Sequence, residues 1–199
     1  MSLKKRSPVI LLAILLSLAM SSCSNDDDVP PEENEEEIIT NASLVFAPTG
    51  GGSAVTATAV DPDGEGPQPL AILSNIILEA GTTYTMTIDL QNALEGESIS
   101  EEIAEEGDEH MFFFAWTNDV FSDPTGNGNI DNRADAVNYN DQDEDGNPLG
   151  LSTTWTAASA GQSGTFRVVL KHQPDLKSTT SDSSVGSTDL DLTFSLNIQ

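Results

Sequence analysis

Apolar and polar residues alternate along several stretches of this chain, and that period of two constrains the fold more than any other feature. Tyr84, Met86, Ile88 and Leu90 share one side of an extended segment, and Leu190, Leu192, Phe194, Leu196 and Ile198 share one side of another. Successive side chains of a β-strand point to opposite faces, so such segments bury one face and wet the other. Runs rich in Thr, Val, Ile and aromatics recur between clusters of Gly, Pro, Asn and Asp, the pattern of strands separated by turns. It predicts strands over residues 43–47, 54–60, 72–78, 82–90, 111–117, 136–140, 151–157, 165–172 and 189–198. Short, half-wet strands with little helix imply an all-β fold: an antiparallel two-sheet sandwich of Ig-like or Greek-key type, each sheet burying its inner face against the other.

One segment breaks the pattern. Ser98 and Glu101 stand at the spacing of a reciprocal N-terminal cap and Gly107 supplies a stop, so a short helix is expected near residues 98–107. Ile99 and Ile103, four apart, would face inward, with Glu101, Glu102, Glu105 and Glu106 in solvent.

The N-terminus reads as an address. Lys4, Lys5 and Arg6 precede an apolar run over residues 9–20, followed by Ser21, Ser22 and Cys23. A helix rising about 1.5 Å per residue cannot cross about 30 Å of hydrocarbon with so short a run. The charged start, apolar middle and small residues before a cleavage point match a removable signal peptide over 1–22. A cysteine at that point resembles the lipobox of bacterial lipoproteins, with Met20 standing where leucine is usual. Lipidation of Cys23 would also account for the chain's single cysteine, since an unpaired thiol is awkward to keep in an oxidising compartment. Residues 23–40, with Asp26, Asp27, Asp28, two prolines and the acidic run 32–37, are too polar to fold and read as a disordered tether. They also resemble the acidic export tag that Bacteroidetes lipoproteins carry to the outer face of the outer membrane. One folded domain is then expected over 41–199.

Charge narrows the partners. The chain has 33 acidic and 7 basic residues. Loss of residues 1–22 removes Lys4, Lys5 and Arg6, leaving four basic against 33 acidic side chains, a formal charge of −29. Nucleic acid is excluded as a partner, because phosphates demand basic patches, and cations are favoured.

Signatures of catalysis are scarce: the cysteine is assigned to the anchor, no Gly-x-Ser-x-Gly turn occurs, and the chain is not expected to be an enzyme. Two constellations invite metals instead. Asp141, Asp143 and Asp145, followed by Gly146, place oxygen ligands at alternate positions, like the first half of a calcium loop, although Ser152 stands where the bidentate glutamate belongs. Ordinary Asp/Asn/Gly turn chemistry explains the same residues. A looser version of that spacing runs over residues 123–131. The second constellation is His110, at the start of one expected strand, and His172, at the end of another. If those strands are antiparallel neighbours, both imidazoles reach one edge of the sandwich, where Asp108 and Glu109 complete a nitrogen and oxygen set suited to zinc, copper or iron; a plain hydrogen bond from a rim histidine to a neighbouring carboxylate explains the same residues.

The turn over residues 61–66, the stretches 81–85 and 105–110 leading into Phe112, Phe113 and Phe114, and the segment 170–174 together resemble small lipoproteins of Flavobacteria and their relatives. Such proteins are often labelled "type 1 periplasmic binding fold" and tend to be encoded beside TonB-dependent outer-membrane receptors. The resemblance implies a cell-surface, lipid-anchored accessory that helps such a receptor capture a ligand or metal. The alternative from the residues alone is a structural or adhesive sandwich stabilised by calcium, with no transport role.

Overall fold

The alternating segments become strands of two facing sheets. The structure is a computed structural model and describes residues 37–61, 63 and 69–199; the expected signal segment, Cys23 and the acidic residues 26–36 lie outside the described residues. The chain divides into two units, Met1–Glu33 and Asn34–Gln199, and both sheets belong to the second. Its elements are β1 (Asn41–Pro48), β2 (Val55–Val60), β3 (Ala71–Ile72), β4 (Ile76–Leu78), β5 (Thr83–Gln91), α1 (Ile99–Glu105), β6 (His110–Trp116), β7 (Phe121–Asp123), β8 (Ser152–Ala157), β9 (Ser163–His172) and β10 (Ser187–Ile198). One sheet has the order β3-β2-β1-β5-β8-β7 and the other β4-β10-β9-β6. The fold is all-β, a two-sheet sandwich. Among the described residues no helix is long and apolar enough to cross a membrane.

The core forms where the inner faces meet. Along β5, and along β10 from Leu190 onward, every second residue is buried, as the alternation requires. Trp155, fully buried on β8, meets the rings of Phe114, Trp116, Phe121 and Phe166 at centroid distances of 4.7–5.5 Å. Edge-to-face and tilted contacts of this kind are favoured by the ring quadrupoles, and truncating such a side chain costs about 3–5 kcal/mol.

β6 is buried on both faces. Phe112, Phe114 and Trp116 point into the main core, whereas Met111 and Phe113 join Val169 under Ile130 and Tyr139 on the outer side. The connection between β6 and β8 therefore covers this edge of the sheet. It pairs the exposed backbone groups of β6: Asn129 donates from its N–H to the Phe114 carbonyl and accepts the Phe114 N–H on Oδ1, and Phe112 N–H donates to Leu149. Gly128 makes this approach feasible, at φ +95°, because a Cβ there would lie 2.0 Å from the Phe114 oxygen.

Four expectations are corrected. The segment 72–78 is two strands, for the chain leaves β2 after β3 and crosses to the other sheet as β4, held at the crossing by Ser74 Oγ accepting the Thr58 N–H. β4 then runs parallel to β10, so the sandwich is not wholly antiparallel. Residues 136–140 form no strand; Tyr139 makes one bridge to Thr153 and donates its hydroxyl to the Phe112 carbonyl. At the other end the folded unit starts before residue 41, with Ile39 in the core and Thr40 bonded to Gln91. The three-residue strand β7 is too short to show a period.

The helix lies at 99–105 with Ile99 and Ile103 buried. Ser98 makes no side-chain cap. The helix is instead pinned through Ser100, whose hydroxyl accepts the Leu90 N–H and donates to the Ile88 carbonyl.

Candidate metal centre

β6 and β9 are antiparallel neighbours, and their register sets His110 directly opposite His172. Both continue the inner-face row of Phe112, Phe114 and Phe166, Val168, Leu170 past the end of the apolar core. The imidazoles stack with centroids 4.5 Å apart and planes 4° from parallel. His110 is fully buried and His172 nearly so.

A β-bulge brings in a third group. β10 pairs Ser187 with His172 and Thr188 with Lys171, then resumes with Leu190 opposite Leu170, leaving Asp189 as the extra residue. Regular alternation would send Asp189 outward with Asp191. A bulge puts two residues against one and re-aims side chains, so Asp189 turns to the histidine side: its side chain is fully buried and its Oδ2 lies 3.9 Å from His110 Nε2. One ligand atom each from His110, His172 and Asp189 fall within 4.8 Å of one another. Gly186, at φ +76°, lets β10 enter this close, since a Cβ there would sit 2.0 Å from the His172 carbonyl oxygen.

Two further carboxylates approach from outside the sheet. Glu37, ahead of β1 and 13% exposed, places Oε1 4.0 Å from His110 Nε2. Glu106, just after α1 and 56% exposed, lies 3.9 Å from the opposite nitrogen, Nδ1.

Hydrogen bonds settle the tautomers. His110 Nδ1 is 3.2 Å from the Glu106 carbonyl oxygen, which only accepts, so Nδ1 carries the proton. Burial holds the ring well below its ordinary value, at about 4, with the neighbouring His172 and Lys177 adding to the depression against the Glu106 bond and the Asp108 charge. The neutral ring thus turns a bare lone pair at Nε2 toward Asp189 and Glu37, and Nε2 has no hydrogen-bond partner. His172 Nε2 donates to Glu109 Oε2 at 3.1 Å, and its buried Nδ1 likewise lacks a partner. The Glu37 carboxyl is pushed up to about 7 by burial first, then by the charges of Glu102, Glu106 and Asp189, with His172 acting against them.

This is the donor arrangement of a ligating histidine: one ring nitrogen held by a carbonyl or carboxylate, the other presented bare. Two imidazole nitrogens and carboxylate oxygens suit first-row divalent ions. Of the expected set, His110 and His172 come together, and Glu109 sits behind His172 as its hydrogen-bond acceptor. Asp108 is exposed and belongs neither to the His110, His172 and Asp189 group nor to the second group of the same spacing, Glu37, Glu106 and His110. Asp189 and Glu37 were not legible as site residues, because the first needs the bulge and the second reads as tether.

The aspartate loop is built otherwise. Asp141 accepts the N–H groups of Gly150 and Ser152, one on each oxygen, at 2.8 Å. Asp143 accepts the Asn147 N–H and, at 2.9 Å, the buried Lys177 ammonium. Burial raises the Asp143 carboxyl, but the bonds from Lys177 and Asn147 outweigh it and leave the group below its ordinary value. Burial lowers Lys177 more than Asp143 raises it. Asp145 is exposed, and no metal-spaced group among the described residues contains Asp141, Asp143 or Asp145. These residues make a turn around an internal cation. In the looser loop, Asn129 is buried as a cap for β6.

Compared with family models, with curated proteins and with solved structures, the chain finds no match.

Proposed function

We propose that this protein is a lipid-anchored, cell-surface module of an outer membrane that binds a divalent transition-metal ion and serves as an accessory to a TonB-dependent receptor. The observation that carries the metal reading is the buried His110–His172 pair, with two ring nitrogens lacking hydrogen-bond partners and Asp189 beside them. Burying polar nitrogens without partners is costly, and a bound cation removes that cost. The surrounding carboxylates favour a cation over an anion, and the imidazoles favour zinc or copper over calcium, which prefers all-oxygen sites. The address rests on residues 4–28, with Cys23 as the acylated anchor. More than one acyl chain is needed for stable anchoring, and the lipoprotein pathway supplies several on one cysteine.

The metal reading is tested by zinc calorimetry on the mature chain in millimolar calcium and magnesium: uptake of one ion that a His110→Ala/His172→Ala variant loses supports it, and equal uptake by both chains rejects it. For the address, Cys23→Ala is expected to abolish acylation and release the protein from membranes. A pull-down from native outer membranes tests the receptor, with reproducible capture of a TonB-dependent receptor expected.

A further inference from the structure

The metal reading uses three side chains, and the geometry points to a fourth. We infer that Glu37, at the root of the acidic tether, is a ligand of the same ion, so that metal binding clips the tether's base to the sandwich. The inference rests on the metal reading above and adds to it a residue, a coordination class and a mechanical consequence.

Position on the ring separates Glu37 from Glu106. Both carboxylates lie about equally far from His110, at 4.0 and 3.9 Å. Glu106 faces Nδ1, whose proton is engaged with the backbone carbonyl, and so it cannot share an ion with that nitrogen. Glu37 faces Nε2, the nitrogen with the bare lone pair, on the side where Asp189 Oδ2 lies at 3.9 Å. The fully buried ring therefore aims its lone pair between two carboxylate oxygens. A lone pair turned toward carboxylates is repulsive, and a cation in the gap reverses the sign of every contact.

The spacing fits an ion of definite size. Ligand atoms about 2.0–2.1 Å from a tetrahedral zinc lie about 3.4 Å apart. The N···O separations of 3.9 Å to Asp189 and 4.0 Å to Glu37 need to shorten by about half an ångström each as both carboxylates close on the ion. With the stacked rings turned to converge on the ion, two imidazoles and two carboxylates would make a four-coordinate N2O2 site of the zinc class with all positions filled by protein, the pattern of a structural or carried ion, since catalytic sites keep one position open.

The consequence follows from chain position. Glu37 is two residues from Ile39, which is buried in the core, and precedes β1. An ion bridging Glu37 to β6, β9 and β10 would tie the point where the tether leaves to three strands of the sheet that β1 does not belong to. Occupancy would then order residues 37–40 against those strands.

The test is Glu37→Gln, which keeps the size of the side chain and removes its charge. Zinc affinity is measured by calorimetry in millimolar calcium and magnesium, and amide hydrogen exchange over residues 38–40 with and without zinc. Zinc is expected to bind the wild type at one site, at least about tenfold more tightly than the variant, the scale on which even outer-shell partners matter. It is also expected to slow exchange over 38–40 in the wild type and leave it unchanged in the variant. Equal affinity in the two chains, with the double histidine variant still failing to bind, would overturn the role of Glu37 and leave the metal reading intact. No zinc uptake by the wild type would overturn both.

Discussion

Two acidic clusters of this domain differ in where their cation comes from. Around Asp143 the chain supplies its own: the Lys177 ammonium reaches the carboxylate at 2.9 Å and also donates to the Gly107 carbonyl, while backbone N–H groups donate to both oxygens of Asp141 and to Oδ1 of Asp143. Around His110 the chain brings carboxylates and imidazoles together, and buried ring nitrogens are left without partners among the described residues. By residue type and spacing, the aspartate loop is the better-looking metal site. The loop holds an internal cation, and the histidine end is the one that still has buried ring nitrogens to offer.

The sharpest way to break this contrast is to take away the internal cation. Lys177→Met strands the Asp143 carboxylate in a buried setting, and removing one partner of a buried pair costs about 3–5 kcal/mol. Thermal unfolding should show a fall in Tm on the order of 10 °C, at about 2–4 °C per kcal/mol for a domain of this size. A change within about 0.5 kcal/mol, the range of ordinary surface substitutions, would mean that the pair is not what closes the loop.

Acid reports on the same pair. The folded-state value of Asp143 is depressed below its ordinary 3.8, so the stabilisation it contributes is present above that pH and is lost as pH falls through the lower folded-state value. Denaturant unfolding of wild type and Asp143→Asn is therefore expected to differ most above about pH 4, the gap closing on further acidification. A gap independent of pH would reject the assignment.

A smaller effect separates the two clusters by ion. Zinc at a hundredfold over its Kd should stabilise the domain by about 2.7 kcal/mol, and the gain should vanish in the double histidine variant. Calcium at millimolar concentration should leave Tm unchanged, as should Asp145→Asn, whose side chain is exposed. A calcium-dependent rise abolished by Asp145→Asn would restore the calcium loop.

Much of this was legible in the sequence, and the failures have physical causes. Alternation over 84–90 and 190–198 identified strands and their buried faces, because packing two sheets leaves little freedom about which residues turn inward. The same alternation put His110 and His172 in phase with their aromatic and aliphatic neighbours, and strand ends sufficed to bring them together. Asp189 was hidden because a bulge is a departure from the period that reveals everything else, and residues 187–191 carry no mark of it. Glu37 was hidden because composition describes the tether as a whole, whereas the last residues before β1 are captured by Ile39 and Thr40. The partner of the aspartate loop, Lys177, was hidden because it lies more than thirty residues downstream. Spacing along a chain says nothing of what folds against it.

The most direct test of the central claim is X-ray absorption at the zinc edge on the zinc-loaded mature chain. The account predicts a four-coordinate shell of nitrogen and oxygen at about 2.0–2.1 Å with the outer-shell scattering of two imidazoles, both lost in His110→Ala/His172→Ala. A shell of oxygen alone, or a spectrum that the double substitution leaves unaltered, would contradict it.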